Sequence, residues 1–182
     1  MNHALVIGGT GMLADVSVWL VNHGYHVSVI ARHAERMEEL IKRTGAKNHI
    51  TPLFVDYTNG KKLQEKIKHT LIQNGSIDLV VAWIHSVGEK ALPIIAREIS
   101  EHQYPWELFH ILSSSTNLEA IKRQVSIPES CIYHQIQLGF KIDGTHSRWL
   151  THREIADGVI RAIQNKEKIH IVGQIEPWEK RP

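Results

Sequence analysis

The feature that most constrains this chain is the loop Gly8-Gly9-Thr10-Gly11, which comes after only seven residues. It stands between a short apolar run, Leu5-Val6-Ile7, and a stretch from Met12 to His23 whose apolar residues recur at helical spacing. Gly24 follows as the expected helix stop. A strand, a glycine turn and a helix in that order form a cradle for a pyrophosphate. Gly8 permits the tight turn, Gly11 lets backbone approach the phosphates, and Ala14 lets the helix pack closely on the strand. The first helical N–H groups and the positive end of the helix dipole then face the anion. A glycine motif alone is weak, and its setting here makes it specific. Gly8, Gly9, Thr10, Gly11, Met12 and Leu13 are therefore the candidate phosphate loop. The plain alternative is a tight turn that holds nothing.

The rest of the chain repeats the same alternation. Strands are predicted at Tyr25 to Ile30, Ile50 to Val55, Ile77 to Trp83, Leu108 to Leu112, Cys131 to Ile142 and Ile169 to Val172. Helices are predicted between them, at 34–43, 61–73, from near Pro93, at 118–125, and after the capping box Thr151-His152-Arg153-Glu154. Near-continuous apolar strands suit a parallel sheet covered on both faces. The fold class expected is α/β, a doubly wound Rossmann fold in one domain spanning 1–182. Its parallel sheet would have about seven strands in the order 3-2-1-4-5-6-7.

Composition narrows the function classes. The formal net charge is +2, with Lys and Arg scattered, so neither nucleic acid nor an anionic membrane is an expected partner. No apolar run is long enough to span a bilayer. The single cysteine, Cys131, excludes an internal disulfide and fits a reducing compartment, so a cytoplasmic location is the expectation. The 13 histidines are scattered, with no H-E-x-x-H pattern and no Cys/His cluster, so no metal site is expected.

The end of the second strand selects the cofactor. An NAD site usually places Asp or Glu there, about 20 residues past the loop, to hold the ribose 2′-hydroxyl. Here the stretch is Val29-Ile30-Ala31-Arg32-His33, with no carboxylate before Glu35. Arg32 is placed to pair bidentately with a 2′-phosphate, with His33 beside it, so NADP(H) is expected over NAD(H).

With these features in place, the sequence resembles the short-chain dehydrogenase/reductase superfamily in an atypical, shortened form. The resemblance rests on Gly8-Gly9-Thr10-Gly11, Ile30-Ala31-Arg32, Val55-Asp56-Tyr57, the strand Ile77 to Trp83, and Leu108 to Ser115. It implies that Asp56 and Tyr57 lie by the adenine. It also implies that Ala82, Trp83 and Ile84 replace the family's Asn-Asn-Ala-Gly segment along the cofactor. Gly139 and Phe140, similar to the family's Pro-Gly turn, would lie near the nicotinamide.

The departures bear on chemistry. The family's catalytic Tyr-x-x-x-Lys pair sits on a helix after the fifth strand, and no such pair occurs there in this chain. Tyr133 has Gln137 four residues on, and its surroundings alternate like a strand. Only about 17 residues separate Ser113 from Cys131, too few for that long helix and its connections. Tyr133 is therefore not expected to be the acid. Ser114, at the carboxyl end of the fifth strand, is the candidate for a substrate hydrogen bond, and His85, at the end of the fourth, for a proton donor near neutral pH. The serines also suit helix capping, and His85 also suits a cleft wall. Two readings follow. One is an NADP(H)-dependent oxidoreductase with a non-standard active site, acting on a small carbonyl or activated alkene. The other is a dinucleotide-binding or cofactor-sensing module that catalyses nothing. A small-molecule substrate is the expected partner of the first, and a homo-oligomer is compatible with either.

Overall fold

The computed structural model describes residues 1–101 and 104–182. Seven parallel strands form one sheet. In chain order they are β1 (His3–Ile7), β2 (His26–Ala31), β3 (Ile50–Phe54), β4 (Leu79–Trp83), β5 (Trp106–Leu112), β6 (Cys131–Leu138) and, after a hairpin, β9 (Ile169–Val172). Their order is β3-β2-β1-β4-β5-β6-β9. This is the expected order, with the expected seventh strand in the last place. The order reverses beside β1, so the carboxyl ends of β1 and β4 part around a crevice.

Strand side chains alternate between two cores. Val6, Val29, Val81 and Phe109 join α1 (Ala14–Asn22), α2 (Ala34–Thr44) and α6 (His152–Asn165) on one face. Leu5, Ile7, Val80 and Leu108 join α3 (Gly60–Asn74) and α4 (Ala91–Ser100) on the other. The short α5 (Leu118–Gln124) lies on this second side, linked to β6 by the bond from the Gln135 amide to the Leu118 carbonyl. The capping box of α6 forms as read: the Glu154 N–H donates to the Thr151 hydroxyl, and the Glu154 carboxylate accepts from the Thr151 N–H.

The sixth strand departs from its expected length. It stops at Leu138, and Phe140–Asp143 (β7) turns back on His146–Trp149 (β8) as an antiparallel hairpin. Gly139 is the cause. Its backbone lies so close to Gln174 that no side chain fits, and Phe140 pairs with Gln174 in both directions at 2.9 Å. A period-2 pattern continues across that break, so alternation alone reads it as one strand. The hairpin is tied to α6 by Arg148 and Lys141, which both reach the Glu154 carboxylate.

Across β1, β2 and α3 a polar chain runs through the core. The Asn74 amide donates to the Thr70 hydroxyl, Thr70 to Ser28, and Ser28 to Nε2 of His3, whose Nδ1–H reaches the Gly75 carbonyl at 3.0 Å. These directions are those of a neutral imidazole, and burial holds the His3 pKa below its ordinary value. Burial also lowers His26 and takes His110 down to about 4. The unfolded chain, with histidines near 6.5, takes up these protons first as pH falls. Stability is therefore full above about pH 6.5 and declines below it. The urea midpoint should drop between pH 7.5 and pH 5.5, and drop less in a His3→Gln variant. A midpoint that rises over that range would contradict the neutral-histidine network.

Candidate functional site

The β1–α1 turn is built from two successive tight bends. Gly11 N–H donates to the Gly8 carbonyl at 3.3 Å, and Ala14 N–H to the Gly11 carbonyl at 3.0 Å. Gly8 has φ +86°, a conformation that favours glycine. Gly9 has no space for a Cβ, which would meet Ser17 Oγ at 2.7 Å and Val29 Cγ1 at 2.8 Å. The close-packing role expected of Ala14 therefore belongs to Gly9, and Ala14 is only half-buried. Gly11 is the opposite case, because a Cβ there would meet only the Gly8 carbonyl oxygen, at 4.0 Å. Leu13 is fully buried and pins the turn to the core, while Thr10 and Met12 remain half-exposed. No side chain among the described residues caps the start of α1. The turn thus offers open space before an uncapped helix start.

At the ends of β2 and β3, Arg32 faces Asp56 across 3.9 Å, with their side chains 66% and 48% exposed. The Thr58 hydroxyl and N–H hold the Asp56 carboxyl below its usual range, and Arg32 adds to this. An ion pair this long and exposed stabilises little, so Arg32 is free to engage another anion. His33 is exposed beside it. Tyr57 turns toward β4: its hydroxyl accepts the His85 N–H at 3.4 Å, and its ring packs against Gly88. Tyr57 and Lys61 do have the Tyr-x-x-x-Lys spacing, but they straddle the turn into α3 rather than sharing one helix.

A cavity of about 760 Å³ opens at the carboxyl ends of β4 and β5, between α4 and α5. Trp83, Ile84 and His85 line one side, Ser113, Thr116 and Ile121 another, and His110 of β5 its floor. Trp83 also lies against Gly8, which joins the cavity to the glycine turn. Ala82 is fully buried in the sheet. His85 is exposed at the rim and meets the Trp83 ring edge-on, with centroids 5.7 Å apart. Ser113 faces the cavity. Ser114 is half-buried beside it, and its carbonyl accepts from the Gln137 amide at 3.1 Å. The same amide reaches the carbonyls of Ser113 and Thr116, so Gln137 holds the serine loop by its backbone.

Tyr133 lies in β6 opposite Leu108, within the sheet. Its hydroxyl is 2.9 Å from His110 Nδ1 and 3.3 Å from the Gln135 amide nitrogen, and burial pushes its pKa up to about 12. α5 has only seven residues, and Asn117 caps it by accepting the Ala120 N–H at 3.0 Å. Gly139 N–H donates to the Val172 carbonyl, and Phe140 is fully buried. Sequence reasoning missed His110. The signal was a lone polar residue in the apolar run Leu108 to Leu112, paired across the sheet with Gln135. Among the described residues no group of three or more His, Cys, Asp or Glu is placed to hold a metal ion, and no helix is long and apolar enough to cross a membrane.

No family model matches the chain, and no curated protein matches it. Solved structures do. An alcohol dehydrogenase from Comamonas testosteroni, specific for bulky-bulky ketones, superposes with a TM-score of 0.73 at 17% identity, covering 98% of this chain and 89% of that one. A short-chain type dehydrogenase/reductase from Mycobacterium marinum gives 0.72 at 13% identity, covering 94% and 93%. The chain has the short-chain dehydrogenase/reductase fold. A metagenomic short-chain oxidoreductase solved in complex with NADP shares it, with a TM-score of 0.67 at 14% identity over 94% of this chain and 95% of that one.

The two glycines should separate on substitution. Gly9→Ala forces a methyl into filled space and should cost about 1–3 kcal/mol of stability, the range for overpacking. Gly11→Ala enters open space and should change stability by no more than about 0.5 kcal/mol. Urea unfolding of both variants measures this, and equal losses would contradict the geometry of the turn.

Proposed function

We propose that this protein is an NADP(H)-dependent oxidoreductase of the short-chain type, with an active site that differs from the usual one. The observation that carries the reading is the continuity, through Trp83, of an open glycine turn at a helix start with a large cavity at the ends of β4 and β5. The turn suits a pyrophosphate, and the cavity suits a small organic substrate. The fold's likeness to dehydrogenases, one of them crystallised with NADP, supports the choice of ligand.

In this reading the turn from Gly8 to Leu13 holds the pyrophosphate on backbone N–H groups, and Arg32 takes the 2′-phosphate. Asp56 borders the adenine. Trp83 and Ile84 line the path to the cavity, which the nicotinamide end would enter. Bound there, the reduced cofactor would supply a hydride, and a carbonyl compound would leave as the alcohol once its oxygen took one proton from solvent. The chain's own part is to orient the carbonyl and exclude bulk water. Ser113 and the Ser114 segment stand at one rim of the cavity and His85 at the other, which suits hydrogen bonding to a substrate or passage of a proton.

A second reading, a dinucleotide-binding module without turnover, draws support from Tyr133. That tyrosine is held in the sheet with a raised pKa, Gln137 rather than a lysine stands four residues on, and α5 is short. A reductase screen on carbonyl compounds with NADPH separates the two.

Replacing Arg32 with Ala should weaken NADP(H) by about 1.5–3 kcal/mol, the range for a charge-assisted hydrogen bond, and leave NAD(H) nearly unchanged. Calorimetric titration of both cofactors measures it, and equal losses would show that Arg32 does not read the phosphate. Gly11→Val should stay folded by circular dichroism and lose dinucleotide binding, because its side chain fills the space the phosphates need. Unchanged affinity in that variant would remove the cradle assignment.

A further inference from the structure

The floor of the cavity carries a polar group with no part in the scheme above. His110 is 7% exposed and lines the cavity. Its Nδ1 is bonded to Tyr133. Its Nε2 has no partner among the described residues and is not sealed from the cavity. The direction of the bonds behind it fixes its tautomer. The Gln135 amide nitrogen donates to the Leu118 carbonyl at 2.9 Å and to the Tyr133 oxygen at 3.3 Å. That oxygen accepts from Gln135, and among the described residues Nδ1 of His110 is the one acceptor within reach of its own proton. A neutral imidazole that accepts at Nδ1 carries its proton on Nε2. Burial keeps the ring neutral, with a pKa of about 4.

We propose that His110 is the group that grips the substrate's carbonyl oxygen, through a neutral Nε2–H held in place by the relay from Gln135 through Tyr133. The inference deepens the reading of the cavity as the substrate's place and rests on it. The ligand class is an aldehyde or ketone with an apolar body. Its oxygen meets the buried N–H, and its body lies against Leu92, Pro93, Ile121 and Val125 of the cavity wall. A fixed neutral donor stabilises an oxygen that gains negative charge, without reorganising as the charge develops. Tyr133 and Gln135 are positioning residues in this arrangement. The hydroxyl of Ser113 is exposed and already engaged with Ser115 and Thr116, so His110 offers the preorganised donor.

The probe is 4-dimethylaminocinnamaldehyde, a dye whose absorption moves to longer wavelength when its carbonyl oxygen accepts a hydrogen bond. The full chain should bind it with such a shift, with or without NADPH. His110→Phe should abolish the shift while remaining folded by circular dichroism. His110→Gln, which keeps a neutral N–H near the same point, should retain part of it. Histidine ¹⁵N NMR of the unliganded protein should find the Nε2–H tautomer at His110, and Tyr133→Phe should move it toward Nδ1–H. The tautomer measurement decides the matter even where a His110 variant fails to fold. No shift in the wild type, an undiminished shift in His110→Phe, a shift lost only in His85→Ala, or an Nδ1–H tautomer in the wild type would overturn the proposal. A dye shift that depends on His110 in a protein that fails to bind NADPH would support His110 as the donor and remove the cofactor reading instead.

Discussion

The turn after β1 leaves no space for a single methyl group at Gly9, where Val6, Ser17 and Val29 converge. That closeness sets where α1 begins and how near its first N–H groups come to the ends of β1 and β4. Ser17 adds a direct tie, its hydroxyl donating to the Gly9 carbonyl at 3.2 Å. A bulkier residue at Gly9 would lift the helix start away from the sheet. The open space at Gly11, the contact of Gly8 with Trp83 and the route from the turn to the cavity all depend on that one packed position.

Past the cavity, the site is backed by the sheet itself. The polar face of β6 does the work of holding the site. Gln137 ties down the serine loop through three carbonyls, Gln135 reaches α5, and Tyr133 meets His110 in β5. Such a network is favourable only when its members are satisfied, because a buried polar group without a partner is costly. Within this network, Nε2 of His110 has no partner among the described residues, and His110 lines the cavity. A short α5 and a polar β6 go together, since a helix of seven residues covers little of the sheet and leaves the strand to supply the polar groups.

The strand–helix alternation was legible from residue types alone because each apolar run is bounded by glycine, proline or a cap and because both faces of the sheet are buried. Gly8 and Gly11 were legible for the same reason, since their spacing has a steric cause. The role of Gly9 was not, because it depends on Ser17 and Val29, which the sequence does not place beside it. The break at Gly139 was hidden by a period-2 pattern that runs on through it, and its cause lies 35 residues away at Gln174. Ser113 rather than Ser114 faces the cavity, a matter of one residue in a loop that periodicity does not fix. His110 went unread because a single polar residue in an apolar strand has no meaning until its partner Tyr133, on the neighbouring strand, is known.

The central claim is that one cofactor runs from the glycine turn to the cavity. A crystal structure of the full chain grown with NADPH tests it most directly. The account predicts the pyrophosphate over Gly11 at the start of α1, the 2′-phosphate at Arg32, and the nicotinamide facing the cavity above His110. Clear density for NADPH bound elsewhere, or a glycine turn that stays empty at saturating cofactor, would contradict it.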